Sequence, residues 1–119
     1  MYVFVADDQR DVRCALRCLI EQQADLRWAG EAFSAAQLLA HLRTVCPDLV
    51  LLDWELSGCD GRDLMVQIQA ICPDVRVIAL SVSPEAYDEA LQSGVQGFAS
   101  KGDPPERLLT AMRTVKDPI

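Results

Sequence analysis

The stretch Asp48-Leu49-Val50-Leu51-Leu52-Asp53 decides how the rest of the chain is interpreted. Its run of large aliphatic residues is too short for a membrane-spanning helix. It suits a strand that is covered on both faces, as in a parallel sheet packed between helices. Asp53 ends this strand, and open α/β sheets bind ligands at the carboxyl edge of their strands. Asp53 is therefore a candidate nucleophile, and a turn or capping role is the alternative.

The composition predicts a single globular domain. The chain has 119 residues, of which 50% are hydrophobic and 24% are charged, so it can bury a sizeable core. The net charge of −7 disfavours direct binding to nucleic acid or to an anionic membrane. No apolar stretch has the length of a membrane helix, and the first strand is predicted from Tyr2. We therefore expect a cytoplasmic protein.

The cysteines are expected to be reduced. They are Cys14, Cys18, Cys46, Cys59 and Cys72. An odd number without a secretory signal favours small, partly buried thiols. Cys14 and Cys18 lie four residues apart on a predicted helix and could offer two metal ligands, but no further soft ligands are evident nearby.

The hydrophobic pattern predicts five strands that alternate with five helices. The predicted strands are 2–6, 26–32, 48–53, 75–80 and 96–100, and the predicted helices are 10–23, 35–45, 61–71, 84–93 and one from 103 onwards. Alternation of this kind predicts a parallel sheet with helices on both faces. The strand at 26–32 carries charges and is expected at an edge. The arginines of the first helix are expected to be solvated.

Polar residues mark several helix starts. Ser34 and Gln37 fit a capping box, and Asp60 is a candidate N-cap. Ser83 is predicted to cap the fourth helix, with Pro84 at its first position.

The ends of four predicted strands bring polar residues to one edge of the sheet. They are Asp7-Asp8, Asp53, Ser81 and Lys101. Each has a simpler explanation alone, as a loop carboxylate, a cap or a solvated lysine. Together they predict a site, because clustered carboxylates stay ionised only beside positive charge. Mg²⁺ takes carboxylate and phosphate oxygens, so this set suits phosphoryl transfer, with Asp53 attacking to form an acyl phosphate.

Over nearly its whole length the chain resembles a response-regulator receiver domain. The matching motifs are Val5-Ala6-Asp7-Asp8, Leu49-Val50-Leu51-Leu52-Asp53, Ala79-Leu80-Ser81 and Gly97-Phe98-Ala99-Ser100-Lys101. The last motif, with Gly94 before it, is similar to the branch that often carries a helix-turn-helix DNA-binding domain. The resemblance implies one receiver domain over 1–119, with a flavodoxin-like doubly wound (βα)5 fold and strand order 2-1-3-4-5.

The resemblance also implies roles at the site. Asp53 is the expected phosphoacceptor. Magnesium is expected on Asp8 and Asp53 directly, on Asp7 through water and on the backbone carbonyl of Glu55. Lys101 is expected to pair with the phosphoryl oxygens.

The resemblance further implies a conformational switch. Ser81 is expected to bond a phosphoryl oxygen, and Phe98 is expected to turn inward behind it. The donor is expected to be a histidine kinase or a histidine phosphotransfer domain, and a homodimer is a further expected partner. No independent enzymatic turnover is expected.

Two alternatives stay open. Leu56-Ser57 stands where the family usually has methionine and proline, which motivates a phosphate-independent interaction module. A magnesium-dependent phosphatase with an aspartyl nucleophile is less consistent with the sequence, because such enzymes usually carry a second aspartate where Glu55 stands.

Overall fold

The computed structural model describes residues 1–116 and shows a parallel five-stranded sheet between helices. The strands are β1 (Tyr2–Ala6), β2 (Arg27–Ala32), β3 (Leu49–Asp53), β4 (Arg76–Ser81) and β5 (Gly97–Ser100). The helices are α1 (Arg10–Glu21), α2 (Ala35–Thr44), α3 (Gly61–Ile71), α4 (Ala86–Gln92) and α5 (Pro105–Lys116). The strand order is β2-β1-β3-β4-β5, so the predicted doubly wound topology is confirmed.

The sheet separates two hydrophobic cores, as expected for strands that are apolar on both faces. Every residue of β3 is buried, and this strand pairs with β1 on one side and β4 on the other. On one face α2 and α3 contribute Leu38, Leu42, Leu64, Met65 and Ile68. On the other face α1 and α5 contribute Ile20, Leu108, Met112 and Val115. Each buried aliphatic side chain stabilises the fold by roughly 2 kcal/mol.

Strand β2 lies at the edge of the sheet, as its charged residues predict. Its pairing with β1 shifts register between Val3 and Phe4, which leaves Ala29 without a partner. Gly30 lies at this bulge with a φ of 141°, and a Cβ there would lie 3.1 Å from the Phe4 ring. The bulge therefore favours glycine for its backbone conformation, and a Cβ there would also crowd the Phe4 ring.

The predicted N-caps at Ser34 and Asp60 are confirmed, although the Gln37 side chain of the predicted capping box accepts from the Phe33 N–H and not from the Ser34 N–H. Ser34 Oγ accepts from the Gln37 N–H, and Asp60 Oδ1 accepts from the Arg62 N–H. The predicted Ser83 cap of α4 is wrong, since α4 begins at Ala86 after a turn closed by the bond from the Ala86 N–H to the Ser83 carbonyl. Among residues 1–116, no helix is both long and apolar enough to cross a membrane.

The expectation of reduced thiols is wrong for one pair of cysteines. Cys46 and Cys72 form a disulfide. The expectation was based on the odd number of cysteines and the expected cellular location, and neither indicates which cysteines lie close together. The fold brings these two residues together from adjacent βα units. Cys14, Cys18 and Cys59 are free, and the first two are exposed rather than partly buried.

Candidate functional site

The strand register brings the four predicted segments together at the carboxyl edge of the sheet. Ala6 pairs with Leu52, so Asp7 follows β1 beside Asp53. Asp53 pairs with Leu80, immediately before Ser81. Ser81 pairs with Ser100, immediately before Lys101, whose N–H donates to the Ser81 carbonyl at 2.9 Å.

Three carboxylates cluster at this edge. Oxygens of Asp7, Asp8 and Asp53 lie within 4.8 Å of one another, and this is the one group of its kind within residues 1–116. Asp7 and Asp53 are buried, at 0% and 3% exposed, whereas Asp8 is open to solvent. Burial, followed by the negative charge of Asp7, raises the pKa of Asp53 above its ordinary value, although the Glu55 N–H and Lys101 oppose this rise.

Lys101 provides the positive charge within the cluster. Its Nζ lies 2.9 Å from Asp7 Oδ2 and 3.2 Å from Asp53 Oδ1. Burial lowers the pKa of Lys101, but attraction to Asp7 and Asp53 outweighs it, so the pKa is raised overall. The lysine is therefore a fixed cation of the site and not the solvated side chain of the simpler explanation.

The carboxylates fulfil their simpler roles with only one oxygen each. Asp7 Oδ1 accepts from the Gln9 N–H at 2.8 Å, near the start of α1. Asp53 Oδ1 accepts from the Glu55 N–H at 3.0 Å. Asp7 Oδ2 contacts the Lys101 ammonium group instead, and Asp53 Oδ2 takes part in neither of these hydrogen bonds.

The donor set fits a hard divalent cation. Asp7 Oδ2 is buried and has no aligned hydrogen bond, only the ion-pair contact with Lys101. A single ammonium group cannot neutralise three carboxylates, and oxygen ligands with an open side at Asp8 match the preference of Mg²⁺. The predicted roles of Asp7, Asp8 and Asp53 are consistent with this geometry, and the role of the Glu55 carbonyl stays a prediction.

The side chain of Glu55 makes a contact that the sequence did not reveal. The Ser81 hydroxyl donates to the Glu55 carboxylate, at 2.9 Å from both Oε1 and Oε2. The same hydroxyl accepts from the Ser83 N–H at 3.0 Å. Ser81 is buried at 1% exposure and is thus held by Glu55 in this state.

The turn after Asp53 is closed despite lacking the usual proline. The Leu56 N–H donates to the Asp53 carbonyl at 3.0 Å, and the Leu56 side chain is buried. Ser57 connects the turn to two other segments: its carbonyl accepts from the Ala35 N–H, and its hydroxyl donates to Asp8 Oδ2 at 3.1 Å. Hydrogen bonds thus give this turn the order that a proline would otherwise promote.

Trp54 connects β3 to α4. Its side chain is buried, and its indole N–H donates to Glu89 Oε1 at 3.0 Å. Gly61 makes room for the indole, since a Cβ there would lie 2.6 Å from the ring. The bond between Trp54 and Glu89 spans 35 residues and has no local sequence signal.

Phe98 lies on β5, where its backbone pairs with Ala79 of β4. Strand β4 separates β5 from β3, which carries Asp53. Its ring is half-buried and packs edge-on against Tyr87, with ring centroids 5.4 Å apart. This position beside β4 and α4 is consistent with the predicted switch role.

The prediction that the arginines of α1 are solvated is wrong for Arg13. Its Nη1 donates to the Asp7 carbonyl at 2.8 Å, and its Nε pairs with Glu31 at 3.0 Å. The side chain is 13% exposed. It therefore supports the backbone of the acidic pair, in contrast to Arg17, which lies over the Trp28 ring.

Comparison with known proteins identifies related sequences and structures. The family model for the response regulator receiver domain matches residues 3–113. Response regulator UvrY of Escherichia coli is 30% identical over 115 residues, which are 95% of this chain and 53% of UvrY. The nitrate/nitrite response regulator protein NarL of the same species is 30% identical over 92% of this chain and 52% of NarL. The chain thus spans about half the length of these curated relatives.

Solved structures show the same fold. The isolated REC domain of RcsB from Salmonella enterica, in the presence of the phosphomimetic BeF3⁻, superposes with a TM-score of 0.90 at 24% identity over 99% of this chain and 89% of that one. A LuxR-family response regulator from Aurantimonas gives a TM-score of 0.88 at 24% identity over 96% and 83%. RcsB has also been solved bound to promoter DNA, and the match covers 66% of that chain.

Proposed function

Because the chain belongs to the response regulator receiver domain family, a family of phosphorylation-activated signalling switches, we propose that Asp53 is its phosphoacceptor. The observation that carries this proposal is the buried Asp53 carboxylate between Asp7 and Lys101 at the carboxyl edge of the sheet. Asp53 Oδ1 is engaged by the Glu55 N–H and by Lys101, which leaves Oδ2 to react.

In the proposed reaction, Asp53 Oδ2 attacks the phosphorus of the donor. The new oxygen–phosphorus bond forms as the bond from phosphorus to the donor nitrogen breaks, and the freed imidazole is the leaving group. Lys101 lies at Oδ1, where its ammonium group can bind the transferred phosphoryl oxygens. Bound Mg²⁺, held by Asp8 and Asp53 with Asp7 through water and the Glu55 carbonyl, would neutralise charge on the phosphoryl group.

Phosphorylation would rearrange the contacts of Ser81. The phosphoryl group adds up to two negative charges and strong acceptor oxygens, so it competes with Glu55 for the Ser81 hydroxyl. Once Ser81 moves, the space behind it becomes available to the Phe98 ring, whose backbone lies on the adjacent strand. The Tyr87–Phe98 contact would then change the surface formed by α4, β5 and α5.

The proposed partners follow from this role. The donor is a histidine kinase or a histidine phosphotransfer domain in the cytoplasm, and the output is binding to a protein partner or to a second copy of this chain. Direct contact with nucleic acid by this domain is not proposed, in keeping with its net charge of −7. We also propose no independent enzymatic turnover: the domain assists its own phosphorylation and dephosphorylation at Asp53.

Mass spectrometry of the intact protein tests the assignment. The protein is incubated with Mg²⁺ and phosphoramidate, whose phosphorus–nitrogen bond resembles that of phosphohistidine. We expect wild type to gain one phosphoryl group and Asp53→Asn to gain none. Asp48→Asn is the matched control, because it changes the aspartate at the other end of the same strand, and it should label like wild type. Equal labelling of Asp53→Asn would overturn the proposal.

A further inference from the structure

The amino edge of the sheet carries a repeated junction. Val45-Cys46-Pro47-Asp48-Leu49 and Ile71-Cys72-Pro73-Asp74-Val75 each lead from a helix into a strand. Strands β3 and β4 are adjacent and parallel, with Leu49 opposite Arg76. The two junctions therefore lie side by side, and the Cα atoms of Cys46 and Cys72 are 5.8 Å apart although 26 residues separate them.

The two sulfur-bearing residues differ in accessibility. Cys46 is exposed at the end of α2. Cys72, at the end of α3, is only 2% exposed and packs within the core on that face of the sheet. A disulfide with one exposed cysteine is open to exchange with an external thiol, unlike one that is enclosed on both sides.

We propose that Cys46 and Cys72 form a reversible redox site that exchanges with small disulfides such as glutathione disulfide. Cys46 is the residue that the external reagent meets, and Cys72 is the resolving residue. The site lies at the edge of the sheet opposite Asp53, so it acts on the stability of the domain and leaves the phosphoryl chemistry unchanged.

Oxidation proceeds by two exchange steps. The Cys46 thiolate attacks one sulfur of glutathione disulfide, forms a mixed disulfide and releases one glutathione thiolate. The Cys72 thiolate then attacks the Cys46 sulfur, forms the protein disulfide and releases the second glutathione. Two protein thiols are thereby oxidised while one glutathione disulfide is reduced to two thiols, and the two protons go to solvent or to the released thiolates.

The bond closes a loop that contains β3 and α3. Closing a loop of 26 residues restricts the unfolded chain, and the expected rise in Tm on oxidation is on the order of 10 °C. The native state changes little, because α2 and α3 already pack against each other in the same core.

The first experiment uses a variant in which Cys14, Cys18 and Cys59 are all replaced by serine, so that only the pair remains. Oxidised glutathione should remove both free thiols without leaving glutathione on the protein, and dithiothreitol should restore them. The Tm should rise and fall with the same treatments. The matched control replaces Cys46 and Cys72 by alanine in the same background, and its Tm should not respond.

A second experiment tests the order of attack. In that background, Cys72→Ala should retain one glutathione at Cys46, visible as a mass adduct that dithiothreitol removes. Cys46→Ala should stay unmodified while folded, because Cys72 is buried. An equal adduct on both single variants would overturn the assigned order.

Two results would overturn the redox site itself. One is that the pair keeps both thiols free in excess glutathione disulfide. The other is that the disulfide resists dithiothreitol in the folded protein, which would make it a permanent bond. Phosphorylation of Asp53 is measured separately on the same variants, so failure of either proposal is distinguishable from failure of the other.

Discussion

The two ends of β3 carry the same residue type in opposite circumstances. Asp48, just before the strand, is exposed, and its Oδ2 accepts from the Tyr2 N–H at 2.7 Å. Asp53, the last residue of the strand, is 3% exposed and lies among other carboxylates. Asp48 connects the start of β1 to the junction before β3. Asp53 lies where burial and neighbouring carboxylates disfavour its negative charge.

Burial and neighbouring charges are thus what separate the structural carboxylate from the one that we propose to be reactive. A solvated carboxylate that accepts a backbone N–H stabilises the fold modestly. A buried carboxylate beside like charges destabilises it unless a cation compensates. The carboxylates at the carboxyl edge of the sheet thus destabilise the fold, and a bound cation would offset this cost. This agrees with the proposed function of the site.

The largest expected effect comes from removing the lysine whose positive charge compensates the buried carboxylates. Lys101→Met leaves Asp7 and Asp53 buried without their ammonium partner. We expect the free energy of unfolding at neutral pH without Mg²⁺ to fall by about 3 kcal/mol, measured by urea denaturation. Added Mg²⁺ should recover part of the loss, because it brings positive charge to the same oxygens.

The double variant Asp7→Asn with Lys101→Met is the control for this prediction. It removes one of the stranded charges, so it should be more stable than Lys101→Met alone. If the two variants were equally stable, the ion pair would not account for the loss.

A smaller effect, of opposite sign at the two ends of β3, is expected from neutralising each aspartate. Asp48→Asn should lower the free energy of unfolding by about 1 kcal/mol, since the Tyr2 N–H loses a charged acceptor. Asp53→Asn should raise it at neutral pH without Mg²⁺, since the charge it removes is disfavoured by burial and by Asp7.

The pH dependence of the free energy of unfolding tests the sign of the effect predicted for Asp53→Asn. The folded pKa of Asp53 is raised above 3.8. The folded state therefore holds the proton more tightly than the unfolded chain, and the stability from this group is present below the unfolded pKa. It is lost as pH rises through the raised folded pKa. Wild type should thus lose stability relative to Asp53→Asn over this range, and a constant difference would contradict the shift.

The sequence predicted a parallel sheet and the cluster at its carboxyl edge because both follow from short-range patterns, whereas the strand order followed only from the resemblance to receiver domains. Hydrophobic periodicity locates the strands, and parallel strands present their carboxyl ends together. Asp7, Asp53 and Lys101 each directly follow or end a strand, so the topology alone brings them together. The apolar run at 49–52 was therefore sufficient to place Asp53.

The contacts that the sequence did not predict depend on the exact placement of side chains. The Ser81–Glu55 bond joins residues 26 positions apart, and neither partner is unusual for a turn. The Cys46–Cys72 bond required recognising that two similar junctions lie on neighbouring strands. Ser83 fitted a capping pattern, but its hydroxyl donates to Glu85 instead, since α4 begins after the turn.

The smallest expected effect is on the rate of phosphorylation. Glu55→Gln removes an exposed negative charge beside the site and weakens the hold on the Ser81 hydroxyl. We expect the initial rate of labelling by phosphoramidate at saturating Mg²⁺ to rise roughly threefold at low salt, because the anionic donor is repelled less.

Glu85→Gln is the matched control, since Glu85 accepts from Ser83 and not from Ser81. The gain from lost repulsion should shrink at high salt, whereas a gain from the released hydroxyl should persist. The salt dependence therefore separates the charge of Glu55 from its hydrogen bond, and an unchanged rate at both salt concentrations would show that Glu55 does not restrain the reaction.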